Sequence, residues 1–170
     1  MPRNIGQPKY KMSQEIEHKF LVKGDFRPFV TKTHHIVQGY ICSGQGRIVR
    51  VRLCDEQAFL TIKGPTEADG LSRFEWEKQI GHDEALELFK LCGTGLIEKY
   101  RHLVPVGAHI FEVDEFLGAN SGLIVAEVEL GSIDEPFEKP DWLGKDVSAD
   151  PRYRNSQLCI KPYVKWNENL

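Results

Sequence analysis

Pairs of like charge at alternate positions are the most chemically suggestive feature of this sequence. Each pair has two carboxylates or two cationic side chains around a single residue, and the pairs recur at Glu15/Glu17, Arg50/Arg52, Glu75/Glu77, Lys99/Arg101, Glu112/Asp114 and Glu127/Glu129. Carboxylate oxygens are the ligands that Mg²⁺ and Mn²⁺ prefer, whereas Lys and Arg side chains bind phosphate oxygens. Together the pairs predict metal-assisted chemistry on a phosphate-rich substrate.

Alternate positions lie on one face of a β-strand, so the pairs also indicate secondary structure. Strands are predicted at residues 14–22, 36–42, 47–54, 57–63, 72–80, 97–104, 109–116 and 123–131. Short connections favour antiparallel neighbours, because parallel strands need long crossovers. A helix is predicted over 81–93, with a short one near 26–33, one or two helical turns after Pro140, and a terminal helix or turn over 150–160.

The charged faces of these strands have two explanations. An ordinary amphipathic sheet would expose them to solvent and bury the apolar faces in a core. Surface strands usually mix Thr and Ser with both charges, however, and like charges on neighbouring strands repel. Closing the sheet turns the charged faces into a lumen and removes the exposed edges. We therefore predict a mainly β (α+β) fold, an eight-stranded closed antiparallel β-barrel with a few peripheral helices.

The predicted lumen contains eight acids and seven bases, a net charge of −1. They are Glu15, Glu17, Glu75, Glu77, Glu112, Asp114, Glu127 and Glu129 with Lys19, Arg50, Arg52, Lys63, Arg73, Lys99 and Arg101. Crowded carboxylates at low dielectric need a counter-ion or a shifted pKa. Two divalent ions would bring the lumen to about +3, and a compact polyanion with several phosphates is then the natural substrate.

Composition limits the remaining function classes. The 170 residues are 41% hydrophobic and 28% charged, which is typical of one soluble globular domain. A net charge of −3 argues against a nucleic-acid partner, and no apolar run reaches the length of a membrane span. We expect a cytoplasmic protein without a membrane partner, with a flexible segment at 1–13, one domain at 14–163 and a tail at 164–170.

Cysteine and histidine give no sign of a metal site in the sequence. The four cysteines are widely spaced and form no CxxC pair, so they predict neither a disulfide framework nor a zinc site. The six histidines fall on the outward strand faces or in loops, and we expect them to be structural or solvent-exposed.

The order of the charged motifs resembles that of the triphosphate tunnel metalloenzymes, also called the CYTH domain family. Glu15-Ile16-Glu17-His18-Lys19 matches the family's ExExK signature, and its companions follow in order at residues 50–52, 61–63, 74–77, 98–101, 111–114 and 126–129. Residues 15–22, 70–77 and 150–158 resemble the small bacterial tripolyphosphatase branch. The resemblance implies an eight-stranded tunnel, a C-terminal plug helix near one mouth and a possible homodimer.

The motifs and the resemblance together suggest roles for individual residues. The expected metal ligands, for two ions of Mg²⁺ or Mn²⁺, are Glu15, Glu17, Asp114, Glu127 and Glu129. Asp114 with Glu127 or Glu129 would hold the ion that activates water. The expected substrate-binding residues are Lys19, Arg50, Arg52, Lys63, Arg73, Lys99, Arg101 and, by resemblance, Tyr40. The expected catalytic residues are Lys19, Arg52, Lys63 and Glu77, with Glu75, Glu77 and Glu112 orienting the bases.

The leading prediction is metal-dependent hydrolysis of inorganic tripolyphosphate to pyrophosphate and phosphate. The same family includes class IV adenylate cyclases and thiamine or nucleoside triphosphatases, which are the alternatives within the enzyme class. A non-catalytic polyphosphate-binding module is the alternative from another class. Such a module needs the bases but not the carboxylates, so the presence of both favours an enzyme.

Overall fold

Nine β-strands and two α-helices make up the computed structural model, which describes residues 10–166. The strands are β1 Tyr10–Val22, β2 Lys32–Gly44, β3 Arg47–Cys54, β4 Gln57–Thr66, β5 Ser72–Ile80, β6 Ile97–Val106, β7 His109–Phe116, β8 Ile124–Glu129 and β9 Leu143–Asp146. The helices are α1 His82–Phe89 and α2 Asn155–Ile160, and single 3₁₀ turns lie at Arg27–Phe29, Gly118–Asn120, Pro151–Tyr153 and Tyr163–Lys165. Within this range no helix is long and apolar enough to cross a membrane.

Eight of the strands close into the predicted antiparallel barrel. Their order around the ring is β1-β5-β4-β3-β2-β6-β7-β8, and β8 pairs with β1 again. Strand β1 closes the ring because it is long enough to serve two neighbours, pairing with β5 through residues 10–16 and with β8 through residues 17–21. Closure leaves β9 outside the ring, on the part of β1 that extends beyond β5.

Three local expectations differ from the structure. Strand β1 begins at Tyr10, so residues 10–13 belong to the barrel, and only the 1–9 part of the expected flexible segment lies outside the described residues. The prediction of helical turns after Pro140 was wrong, because β9 forms there. Its backbone bonds to residues 19–22 of β1, whose polar groups would otherwise lack partners at that edge. The short helix near 26–33 is a single 3₁₀ turn at Arg27–Phe29.

The apolar residues lie mainly outside the barrel wall. Phe111 packs edge-on against Trp142, and Phe26 lies 6.2 Å from the same indole, so the segments after β1 and before β9 cover the outer face of β6 to β8. Helix α1 covers the outside of β3 and β4 through Ala85. Burying the outer faces in this way leaves the interior of the barrel to the charged side chains.

One end of the lumen is apolar and closed by α2, as expected for a plug helix. Leu158 is fully buried there against Ile97, Phe116 and Val125, which share the inward strand face with the charged residues. The chain beyond α2 continues this packing, since Trp166 stacks edge-on against Tyr163. Residues 164–166 therefore belong to the domain, and residues 167–170 lie outside the described part.

Candidate active site in the barrel lumen

The lumen encloses a polar cavity of about 220 Å³. Fourteen of the fifteen charged residues predicted to line it do so, and Tyr40 also contributes to its wall. Alternation along the strands explains this result, because each inward position follows the previous one by two residues. The exception is Asp114, which does not reach the cavity.

Carboxylates are crowded where β1 meets its neighbours. Lys63 Nζ donates to both oxygens of Glu15, at 2.8 and 2.7 Å, and lies 3.2 Å from Glu75. Glu17 lies directly across from Glu129 in the β1–β8 register, and Lys19 Nζ is 3.1 Å from Glu17. Burial, together with the nearby Glu127 carboxylate, raises the pKa of Glu17 above its ordinary value. This region therefore has more negative charge than its own cations balance.

Asp114 lies behind the cavity wall, enclosed by two cations. Its oxygens accept from Arg101 Nε at 2.7 Å and from Lys99 Nζ at 2.6 Å, and Arg101 Nη2 adds a third bond at 2.8 Å. Burial would raise the pKa of Asp114, but Arg101 and Lys99 outweigh it and lower that pKa. Burial also lowers the pKa of Lys99 to about 8. Asp114 is thus placed behind the wall, with its oxygens bonded to Arg101 and Lys99, and does not face the cavity where the metal site is expected.

Glu127 connects the two regions. It lines the cavity, makes a very short ion pair with Lys19 and lies 3.5 Å from Arg101 Nη2. Burial alone would raise its pKa, but Lys19 and Arg101 reverse the effect and lower it. Burial likewise opposes the charged form of Lys19, yet Glu127 and Glu17 raise the pKa of Lys19 overall. Both side chains are therefore charged at neutral pH.

Glu77 orients the arginines of β3. Its Oε2 accepts from Arg52 Nη2 at 3.2 Å, and Thr61 Oγ1 donates to the same oxygen at 2.8 Å. Arg50 Nη2 reaches that oxygen at 3.5 Å and Thr61 Oγ1 at 3.1 Å. Burial and the neighbouring Arg50 lower the pKa of Arg52 to about 10, which leaves the guanidinium charged at neutral pH. The two guanidinium groups are thus held side by side, facing the cavity.

Several buried guanidinium nitrogens on the cavity wall have no partner among the described residues. They are Nε of Arg50, Nε of Arg52, and both Nε and Nη2 of Arg73. Buried donors are nearly always hydrogen-bonded in native proteins, so an unpaired set of this size calls for an external acceptor. All three side chains face the same cavity, and an anion with several oxygens would satisfy them together.

The sequence did not reveal the residues that the C-terminal part adds to the wall. Ser148, Arg154, Asn155 and Ser156 all line the cavity, and Lys99 Nζ donates to Asn155 Oδ1 at 3.1 Å. These residues come from a loop and the start of α2, where no strand alternation marks which side chains point inward. The sequence predicted that residues 150–160 form a terminal helix or turn, but it did not indicate which of their side chains face the cavity.

The donor set that faces the cavity fits a hard divalent cation. Glu15, Glu17, Glu127 and Glu129 supply carboxylate oxygens on adjacent strands, which is the chemistry that Mg²⁺ and Mn²⁺ favour. Burial, and after it the nearby Glu127 carboxylate, raises the pKa of Glu17, and a bound cation would favour the charged form of this carboxylate. Among residues 10–166, no Cys or His side chain lines this cavity, so these residues do not suit a softer metal.

The sequence of the whole domain agrees with this architecture. The family model of the CYTH domain matches residues 13–157. The chain belongs to the CYTH domain family. This CYTH domain protein is 43% identical to an inorganic triphosphatase of Acetivibrio thermocellus over 158 residues, which is 92% of this chain and 100% of the relative.

Two further comparisons extend the likeness. An inorganic triphosphatase of Nitrosomonas europaea is 36% identical over 154 residues, covering 86% of this CYTH protein and 97% of the relative. The crystal structure of the inorganic triphosphatase NE1496 superimposes with a TM-score of 0.59 and 30% identity, over 86% of this chain and 94% of that one. Sequence and fold thus relate the chain to the same group of CYTH proteins.

Proposed function

We propose that this protein hydrolyses inorganic tripolyphosphate to pyrophosphate and phosphate with the help of a divalent metal ion. The observation that supports this most is the set of guanidinium nitrogens on Arg50, Arg52 and Arg73 that have no partner among the described residues. These side chains face a cavity that carboxylates also line. Cations alone would suit phosphate binding, and the added carboxylates suit catalysis. The named triphosphatases among the relatives support the same substrate class.

The cationic residues bind and orient the phosphate chain. Arg50 and Arg52, held by Glu77, present paired donors that match phosphate oxygens, and Lys63 and Arg73 face the same space from β4 and β5. Lys99 and Arg101, fixed by Asp114, approach from the other side of the lumen. Cations on both sides stabilise charge that develops on the leaving pyrophosphate when a terminal phosphoryl group is attacked in line.

Four carboxylates, Glu15, Glu17, Glu127 and Glu129, would hold the metal. When bound, a divalent ion supplies charge neutralisation and lowers the pKa of water towards neutrality. Lys19 forms ion pairs with both Glu17 and Glu127 and so holds these two carboxylates in a fixed arrangement. In this proposal Asp114 positions Lys99 and Arg101. This role takes the place of the expected one, in which Asp114 is a ligand of a second ion. Titration with Mg²⁺ or Mn²⁺ measures the number of ions that the four carboxylates bind.

Phosphate release from four substrates tests the proposal. Tripolyphosphate, ATP, thiamine triphosphate and pyrophosphate are each incubated with Mg²⁺, Mn²⁺ or EDTA, and cyclic AMP is assayed in the ATP reactions. We expect tripolyphosphate hydrolysis with either metal and none with EDTA. Cyclic AMP formation, or faster turnover of ATP or thiamine triphosphate, would assign another activity. Tight binding of tripolyphosphate without hydrolysis would indicate a binding module.

We also propose that the protein forms a homodimer, which analytical ultracentrifugation of the purified chain tests directly. We further propose a cytoplasmic location, which the four free cysteines of the described residues favour.

A further inference from the structure

A second group of metal-ligating side chains lies at the end of the barrel opposite α2. It consists of His34 on β2, Cys54 at the end of β3 and Asp55 in the turn that follows, and one ligand atom of each lies within 4.8 Å of the others. Ile97, which packs beneath α2, pairs with Gln38 of β2. His34 lies four residues before Gln38 on the same strand, which is a distance of about 13 Å along β2. The group is therefore separated from the plugged end of the lumen.

Backbone hydrogen bonds fix Asp55 within this His34–Cys54–Asp55 cluster. His34 Nδ1 lies 2.5 Å from Asp55 Oδ2, while Asp55 Oδ1 accepts the backbone N–H of His35 at 2.9 Å. The backbone N–H of Asp55 donates in turn to the carbonyl of His35 at 2.9 Å. Asp55 adopts a left-handed conformation with φ of 52°, which is uncommon outside glycine. These contacts direct one carboxylate oxygen towards the imidazole.

An ion can reach the cluster from solvent. The side chains of His34 and Asp55 are 20% and 45% exposed, and Cys54 is half-buried. Burial raises the pKa of the Cys54 thiol while the Arg52 guanidinium opposes the rise, so the thiol is protonated at neutral pH in the metal-free protein. A metal ion would displace that proton to solvent when it binds the sulfur.

We propose that His34, Cys54 and Asp55 form a separate site for a borderline divalent transition metal such as Zn²⁺. One nitrogen, one sulfur and one oxygen ligand suit such an ion, and three protein ligands leave the fourth tetrahedral position open. Mg²⁺ and Mn²⁺ suit this set less well, because they prefer oxygen ligands. Cys54 lies two residues from Arg52 on the same face of β3, about 7 Å away, so an ion here adds positive charge beside the substrate cavity.

Cobalt titration of the full-length protein tests the site independently of activity. Co²⁺ is added in the presence of saturating Mg²⁺, and the near-ultraviolet thiolate-to-cobalt charge-transfer band is recorded, because carboxylates in the lumen cannot produce it. We expect the band in the wild type and in the Cys42→Ser control, whose thiol is exposed near the other end of β2. The band should vanish in Cys54→Ser. His34→Ala should raise the Kd for Co²⁺ at least about tenfold, as loss of even an outer partner does.

Alkylation gives a second readout that requires no variant. Zn²⁺ should slow iodoacetamide modification of Cys54 in the wild type at least about tenfold and leave Cys42 unaffected, as measured by peptide mass spectrometry. A missing cobalt band in the wild type, a band that persists in Cys54→Ser, or equal protection of both cysteines would overturn the proposed site. Circular dichroism and melting confirm that each variant is folded.

Discussion

Two walls of the lumen use the same residue types in different ways. In the paired wall, formed by Lys99, Arg101 and Asp114, the carboxylate is enclosed by cations and its pKa is lowered. In the carboxylate wall, formed by Glu15, Glu17 and Glu129 with Lys63 among them, Glu17 faces Glu129 across the strands and its pKa is raised. The proposed metal ion therefore has its ligands mainly along β1, whereas in the paired wall the Asp114 carboxylate is already balanced by Lys99 and Arg101 and keeps these proposed phosphate-binding cations in place.

Neutralising the carboxylate wall should have the largest effect on catalysis. Glu17→Gln removes a proposed metal ligand, and we expect turnover of tripolyphosphate to fall about a thousandfold or more, which corresponds to about 4 kcal/mol. Phosphate release at saturating Mg²⁺ measures this loss. Near wild-type turnover would place the metal elsewhere.

The same variant should not lose stability when metal is absent. The raised pKa of Glu17 means that the fold disfavours its charged form, and this cost is present at pH values above the folded-state pKa. Glutamine removes the charge, so the Tm of Glu17→Gln in EDTA at pH 8 should equal or exceed that of the wild type. A clear drop in Tm would mean that Glu17 is a structural partner of Lys19.

Breaking the paired wall should have the largest effect on stability. Asp114→Asn leaves Lys99 and Arg101 buried without their counter-charge, and the free energy of unfolding should fall by about 3–5 kcal/mol in urea denaturation. Glu112→Gln is the matched control, because Glu112 also pairs with Arg101 but is 42% exposed. The control should lose less than about 1 kcal/mol. Equal losses would remove the distinction between the two positions.

Substrate choice depends on how both walls hold the phosphate chain. The cations around the cavity would contact phosphate oxygens, and Arg154 and Asn155 at the start of α2 line the same cavity, where they would restrict a bulky nucleoside. We expect kcat/KM for tripolyphosphate to exceed that for ATP at least about tenfold, which needs only about 1.4 kcal/mol. Pyrophosphate should be a poor substrate because it reaches fewer cations. Side-by-side kinetics with equal values for ATP would contradict this ranking.

Replacing Arg154 should change the kinetics of tripolyphosphate hydrolysis less than any of the other substitutions. Arg154 lines the cavity from the start of α2 but is largely exposed to solvent, so Arg154→Ala should raise KM for tripolyphosphate about two- to fivefold. Arg152→Ala is the control, because Arg152 pairs with Asp150 at the surface and does not line the cavity. A similar rise in KM for both variants would indicate a general charge effect.

The sequence predicted the ring of strands and nearly the whole charged lumen, because alternation along a strand specifies which side chains share a face. It did not predict that Asp114 lies behind the wall, since alternation gives the direction of a side chain and not the partners that cover it. Strand β9 was missed because its partner is the unpaired edge of β1, a property of the closed barrel. His34 and Cys54 are twenty residues apart in the sequence, and they come close because β2 pairs with β3. The sequence alone does not show this pairing register.

The most direct test of the account is the dependence of tripolyphosphate hydrolysis on Mg²⁺ in the wild type and in Glu17→Gln. After exhaustive chelation, the initial rate of phosphate release is measured as Mg²⁺ is restored. We predict that wild-type activity rises from zero to saturation, and that the residual activity of Glu17→Gln, about a thousandfold lower, requires at least about tenfold more Mg²⁺. Full wild-type activity in the chelated protein, or identical Mg²⁺ dependence in both proteins, would contradict a metal held by the carboxylates of β1.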